Sequence, residues 1–270
     1  MIRRGTSSAR PLPDVPRIDP ASGSLRPLVS VVTATLNARD LLRDTVQSVA
    51  EQGLEVEHVI ADGGSTDGTT DDLAASSDKI NWISEPDLGI ADAMNKAIAL
   101  AHGEWIVVLH AGDRFAEPDS LKNAIKFLGP DIDILLCSIR RGGWAQNRDR
   151  HCHCAQQRLL FKTIPHQGAL TRRDLFERIG GFDTSYRVTM DYDFFFRARN
   201  AGAKFRSVPV ILSYMDDSGL SSRTDWPSLK ARFAEERRVH LTHCPNLAMR
   251  AIYAAYWPTY LAYRRLRSLL

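Results

Sequence analysis

From residue 28 onward the apolar positions alternate between two rhythms. Leu28-Val29-Ser30-Val31-Val32-Thr33-Ala34 is a short β-branched run, as a strand buried on both faces requires. Over 40–52, Leu41, Leu42, Thr45, Val46 and Val49 share one helical face, and Gly53 ends the helix. The same reading predicts strands at 56–61, 80–84, 105–109 and 132–137. Helices are predicted at 66–77, 90–101 and 118–128, the last opened by Pro118. Beyond a polar loop over 140–158, helices are expected at 171–179 and 190–201, closed by Gly180-Gly181 and Gly202. Two short strands, 205–208 and 210–214, are split by Pro209, and a helix follows at 226–241. Strands alternating with helices imply right-handed βαβ units. The fold class is therefore α/β, a Rossmann-like, mostly parallel sheet with helices on both faces.

The chain ends differ from this body. Residues 1–27 hold five prolines and five arginines with no periodicity, and read as a disordered leader. Residues 28–222 form the predicted globular domain, and 223–270 a C-terminal helical extension. The two ends carry formal charges of +3 and +6, so 28–222 carries −6 within a net +3. An acidic body argues against nucleic acid as a partner. The basic ends suit either an anionic membrane surface or a solvated helix face. Residues 251–270 place Tyr253, Tyr256, Trp257, Tyr260 and Tyr263 ahead of Arg264, Arg265 and Arg267, with Pro258 as a kink. That pattern fits an interfacial helix, or equally a helix packed on the domain or on a second subunit. Four cysteines in 270 residues, without a signal-peptide h-region, fit a reducing cytosol and peripheral contact at the inner membrane face.

In such sheets ligands bind beyond the carboxyl ends of the strands. The first strand ends in Thr33-Ala34-Thr35-Leu36-Asn37. The second ends in Asp62-Gly63-Gly64-Ser65-Thr66-Asp67-Gly68, and the fourth in His110-Ala111-Gly112-Asp113. Asp62 can accept from a base N–H or a ribose hydroxyl, although an Asx turn yields the same letters. Asp113, just past a core strand, can hold a divalent ion through oxygen, or else cap a turn. Asp191 opens the 190–201 helix beside Tyr192, Phe195 and Phe196. It can act as a general base or simply complement the helix dipole. His151-Cys152-His153-Cys154 lacks a second ligand pair for structural zinc. Arg172 and Arg173 read as an exposed helix start.

Three ordered sets of segments resemble glycosyltransferase family 2, inverting enzymes of the GT-A fold. The first joins Val31–Asn37 to Asp62–Thr69. The second is Glu85-Pro86-Asp87-Leu88-Gly89-Ile90-Ala91-Asp92-Ala93-Met94-Asn95-Lys96. The third joins Pro165-His166-Gln167-Gly168, Gly180-Gly181-Phe182-Asp183 and Asp191-Tyr192-Asp193. The resemblance implies a nucleotide-sugar donor, a UDP-sugar first among them, with Mg²⁺ or Mn²⁺. Thr33, Thr35, Asn37, Asp62, Ser65, Asp92, Asn95 and His166 would bind the donor. Asp113, with His110, would hold the metal, and Asp191 would be the base. It also implies that 218–221 closes on the diphosphate, and that the acceptor is a saccharide or a lipid-linked hydroxyl in polysaccharide or glycolipid synthesis. Two positions depart from the family: His110-Ala111-Gly112-Asp113 keeps only the last acid of the metal motif, and Met190 replaces a Glu. Alternative readings are a nucleotidyltransferase, which lacks its glycine-rich phosphate loop here, and a non-catalytic nucleotide-sugar-binding domain. An oligomer is compatible with all of these.

Overall fold

A computed structural model describes residues 26–76, 80–142, 150–217 and 219–267. The expected leader therefore lies almost wholly outside the described residues, as does part of the 140–158 loop. Among the described residues one sheet contains β1 (Val29–Thr35), β2 (Glu57–Asp62), β3 (Ile80–Ser84), β4 (Trp105–Val108), β5 (Arg114–Phe115), β6 (Ile134–Arg141), β7 (Arg150–Cys152), β8 (Ala169–Arg172) and β9 (Phe205–Met215). The spatial order is β3-β2-β1-β4-β8-β6-β9-β5, with β7 paired to β6. The helices are α1 (Arg39–Ala50), α2 (Thr69–Ala74), α3 (Ile90–Leu100), α4 (Ser120–Ile125), α5 (Arg173–Ile179), α6 (Met190–Asn200), α7 (Trp226–Thr242) and α8 (Leu247–Arg267).

Strand alternation divides the core into two layers. Val31, Trp105 and Val107 pack on one face with Val49 and Leu121. Val32, Ile106 and Val108 pack on the other with Met94 and Ala97 of α3 and the phenylalanines of α6. Every β1 residue is buried. At about 1.5–3 kcal/mol for each large aliphatic side chain removed from water, this burial is what holds the strand.

β1 to β4 are parallel, as the sequence predicts. Beyond β4 the sheet is mixed: β8 runs antiparallel to both β4 and β6, and β9 parallel to β6. Among the described residues no crossover α-helix stands between β6 and β8, and an antiparallel neighbour needs none.

The predicted helix at 171–179 begins at Arg173, because Thr171 and Arg172 pair in β8 with Ile106 and Trp105. Arg172 is thus not an exposed helix start. Its guanidinium donates to the Ile132 and Gly129 carbonyls and to Glu104, each at 2.7 Å, and lies 4.5 Å over the Trp105 ring. The two strands expected around Pro209 are one, β9. Its register with β6 jumps from Leu136↔Ser207 to Ser138↔Ile211, and this bulge absorbs the proline. α2 and α4 are each six residues long, shorter than expected; α4 begins two residues after Pro118.

The C-terminal extension is docked on the body. Leu229 and Phe233 of α7 bury Tyr253 and Trp257 of α8. A hydrogen-bond chain fixes this pair to α6. Trp257 Nε1 donates to His240 Nδ1 at 3.1 Å, which leaves the His240 Nε2 proton for the Tyr192 hydroxyl oxygen. Tyr192 in turn donates to the Leu159 carbonyl at 2.9 Å. The buried side of the aromatic stripe therefore follows the packed alternative. Among the described residues no helix is long and apolar enough to cross a membrane.

Candidate active site

β1 has β2 on one side and β4 on the other, so the chain leaves their carboxyl ends in diverging directions and opens a crevice. A cavity of about 1060 Å³ lies there. It is lined by Thr35 and Leu36 after β1, His110 and Asp113 after β4, His166 and Gln167 before β8, and Asp191 of α6.

Asp113 is aimed by a tight turn. Its backbone N–H donates to the His110 carbonyl at 2.9 Å, and His110 N–H donates to Asp113 Oδ2 at 3.1 Å. Gly112 has φ +98°, a left-handed conformation that glycine adopts without strain. Any side chain at this position, an acid included, would be strained. Asp113 Oδ2 also accepts from Gln167 Nε2 at 3.0 Å, and Oδ1 accepts from Asp216 N–H at 3.0 Å. Three bonds leave the carboxylate with accepting capacity to spare. Burial nevertheless pushes its pKa up.

Two imidazoles stand next to it. His110 and His166 meet edge to face, their ring centroids 4.7 Å apart. All four of their ring nitrogens are buried without a hydrogen-bond partner. Burial, together with His166, holds the His110 pKa well below its ordinary value, so this ring is neutral and free to ligate. His166 Nδ1 lies 3.6 Å from Asp191 Oδ2, which continues the line of polar groups to α6.

Asp191 occupies the first turn of α6, and that helix end is capped from another element. Glu235 of α7 accepts from the backbone N–H groups of Arg187, Val188 and Thr189, each at 2.9 Å, and from the Thr189 hydroxyl at 3.2 Å. These amides precede the helix and would otherwise lack acceptors. Asp193 faces elsewhere, bonded to Arg197 and His243.

The remaining expected donor residues divide. Thr35 lines the cavity, and its hydroxyl has no partner. Thr33 departs from its expected place: it is fully buried within β1, 2.9 Å from His58 Nε2, and does not line the cavity. Asp62 accepts from Gly64 N–H, Ser65 N–H and the Ser84 hydroxyl at 2.6–3.1 Å, and also from the Ser65 hydroxyl. Its carboxylate is occupied by its own loop, as the Asx-turn alternative describes. Asn37 adopts φ 48° and joins that loop to β1, accepting from Thr66 N–H at 2.8 Å while its own N–H donates to Ser65 Oγ at 2.7 Å. Asp92 accepts from Leu88 N–H and pairs with Lys96 at the α3 start. Asn95 exchanges two 2.8 Å bonds with the Phe182 backbone. Thr33, Asn37, Asp62, Ser65, Asp92 and Asn95 are not among the residues that line the cavity.

Sequence reasoning missed several groups that do line it. Asp87 lies against Gly63, where a side chain would collide with its carboxylate. The signal was present in the Glu85-Pro86-Asp87-Leu88-Gly89 segment. Gln167 was in the Pro-His-Gln segment. Arg232, Phe233, Glu236, Tyr256 and Tyr260 enter from α7 and α8, and no motif announced them. Gly219 and Ser221 line the cavity near the expected diphosphate loop; Ser218 lies outside the described residues.

Comparison with known proteins identifies the family and the fold. The family model described as Glycosyl transferase family 2 matches residues 30–189. A PGL/p-HBAD biosynthesis glycosyltransferase of Mycobacterium tuberculosis is 35% identical over 212 residues, covering 73% of this chain and 80% of its own. The structure of S. aureus TarS 1-349 in complex with UDP-GlcNAc superposes with a TM-score of 0.62 at 19% identity, covering 79% of this chain and 66% of that one. The mannosyltransferase PcManGT from Pyrobaculum calidifontis, in complex with GDP-Man and Mn²⁺, gives a TM-score of 0.59 at 20% identity, covering 90% and 85%. The expected GT-A architecture is the one these structures share.

Proposed function

The chain belongs to glycosyl transferase family 2, and we propose that it moves a sugar from a nucleoside-diphosphate sugar to an acceptor hydroxyl with inversion at the anomeric carbon. Its kind of reaction, glycosyl transfer, excludes the nucleotidyltransferase alternative. One observation carries the finer reading. Asp113 and Asp191, 78 positions apart in the sequence, line one cavity and are joined by two buried imidazoles without hydrogen-bond partners.

The residues present fit a divalent ion. Asp113 has unused lone pairs, and His110 offers a neutral, unpartnered ring nitrogen. Among the described residues no three His, Cys, Asp or Glu side chains form a ready cage, so diphosphate and water oxygens would supply the other ligands. When bound, Mg²⁺ or Mn²⁺ offsets the charge that collects on the leaving diphosphate. Thr35, with its unpartnered hydroxyl, and Asp87 serve the donor end of the cavity, for which a UDP-sugar is the first candidate.

Asp191 takes the proton of the acceptor hydroxyl as that oxygen attacks the face opposite the leaving group. A single displacement of this kind inverts the centre. His166 stands 3.6 Å from the carboxylate and steadies it. Holding both sugars in line contributes on the order of 7–11 kcal/mol to lowering the barrier. The acceptor is a saccharide or lipid-linked hydroxyl, met at the cytoplasmic face of the membrane.

The test is Asp191→Asn, assayed for diphosphate release and for sugar transfer. Transfer falls by at least about 10²-fold, the usual contribution of a positioned base, while the melting temperature and nucleotide affinity hold. Transfer at the parental rate removes Asp191 from the role. Nucleotide binding without turnover in the parent chain favours the non-catalytic alternative.

A further inference from the structure

Part of the cavity wall comes from the C-terminal extension. Arg232, Phe233 and Glu236 of α7 face it together with Tyr256 and Tyr260 of α8, and Phe161 completes the wall. We propose that this wall is the acceptor subsite and that it takes a pyranose ring, Arg232 and Glu236 bonding to adjacent hydroxyls while the aromatic rings receive the apolar face. The proposal rests on the transfer reaction above.

The polar half of the wall is built but incomplete. Arg232 is fixed by a bond from Nη1 to the Ser221 carbonyl at 2.6 Å, and its guanidinium carbon lies 5.3 Å from the Phe233 ring centroid. Its Nε is buried with no hydrogen-bond partner and sits 3.7 Å from Glu236 Oε1, too far for a bond between them. A hydroxyl bridging donor and acceptor satisfies both. Asp191 and Glu236 line the same cavity. A pyranose that presents one hydroxyl to Asp191 has others on its ring to offer Glu236.

The apolar half is aromatic. Tyr256 and Tyr260 stack at 5.2 Å with planes 12° apart, and Phe161 meets Tyr256 at 5.4 Å. Phe161 keeps 39% of its surface exposed. A pyranose has a C–H face to lay on such rings and a rim of hydroxyls to reach Arg232 and Glu236. An acceptor with a single aryl hydroxyl spends that hydroxyl on Asp191. It leaves the buried Arg232 Nε unpaired, a state that disfavours binding.

The experiment uses the full chain saturated with UDP or GDP and Mn²⁺. Saturation-transfer NMR is run with the methyl glycosides of glucose, galactose and mannose, and separately with methyl 4-hydroxybenzoate. At least one glycoside receives saturation, strongest at its ring C–H protons, and the phenol does not displace it. Glu236→Gln and Tyr260→Ala each weaken that glycoside by about tenfold or more, the loss expected for one charged hydrogen bond or one stacking face. Nucleotide Kd stays within about twofold in both variants, which also verifies that each is folded. Nucleotide binding without any glycoside binding overturns this proposal alone. So does a phenol that binds in place of the glycosides, or glycoside affinity unmoved by both substitutions. Failure of UDP and GDP alike to bind removes the donor reading, and this one with it.

Discussion

Glu235 shows how a side chain outside the cavity can govern one inside it. Its carboxylate accepts four hydrogen bonds from residues 187–189, immediately before Asp191. Without it those amides lose their acceptor, and the first turn of α6 is free to fray. Glu235→Ala is therefore expected to cost about 2–4 kcal/mol in denaturant unfolding, as two or more charge-assisted bonds are lost. It also lowers kcat by roughly 10-fold or more, as expected when a reacting group is misplaced by a fraction of an ångström, with donor KM little changed. Glu235→Gln keeps one acceptor oxygen and recovers part of kcat, an outcome that a purely global loss of stability would not give. A fall in donor KM affinity matching the fall in kcat would count against the positioning role. Of the residues expected in the site, those at strand and helix ends, Asp113, His110, His166, Asp191 and Thr35, line the cavity. Asp62, Asn37 and Ser65 bond within their own loop, and the sequence leaves their role open because a loop that binds a ligand and a loop that binds itself use the same letters. Thr33 shares a strand face with Thr35, two positions on, but lies deeper in the sheet, where its hydroxyl meets His58 instead of the cavity.

The parallel strands and the helices between them were readable because each is a continuous periodic run. The β8–α5 boundary was not. Ala169-Leu170-Thr171-Arg172 is four residues long and abuts a helix whose pattern extends back through it. Only pairing with β4 and β6 decides the matter. The α7–α8 pair was read as a separate extension, since its apolar positions say that it packs but not on what. Trp257 supplies much of that answer. It is 1% exposed, it contacts Phe233, and it donates to His240. Trp257→Ala is expected to cost about 3–5 kcal/mol, measured by urea unfolding, from the lost aromatic volume and the vacated His240 nitrogen. If α8 served only as a membrane anchor, with no part in the fold, the substitution would leave the midpoint in solution unchanged. Trp257→Phe keeps most of the volume but removes the donor, so it falls between the parent and the alanine variant.

The whole molecule joins several walls around one cavity: the strand ends of the parallel half, the 156–168 segment, the start of α6 with the residues before it, and the docked extension. Its pH response follows from the groups buried where these walls meet. Burial holds His58 in the sheet and His240 in the extension at about 4, against 6.5 for an unburied histidine. Between those values the unfolded chain binds more protons than the folded one, so these two groups add stability as pH rises from 4 to 6.5. Glu236 works in the opposite direction. Burial, with the charge of Asp191 also opposing ionisation, pushes it up to about 7 from 4.5. Here the folded chain holds the proton that the unfolded chain has released, so stability from this group is lost as pH climbs from 4.5 through 7. Above about 6.5 the histidine contribution is complete while the glutamate loss continues. Glu236→Gln has no proton to lose. Its melting temperature relative to the parent is therefore expected to rise steadily from pH 4.5 to just above 7 and to level off beyond, in buffers free of divalent ions. A difference that is flat across that range would mean that Glu236 is ionised throughout, as at a solvent-facing position, and that α7 does not close the cavity.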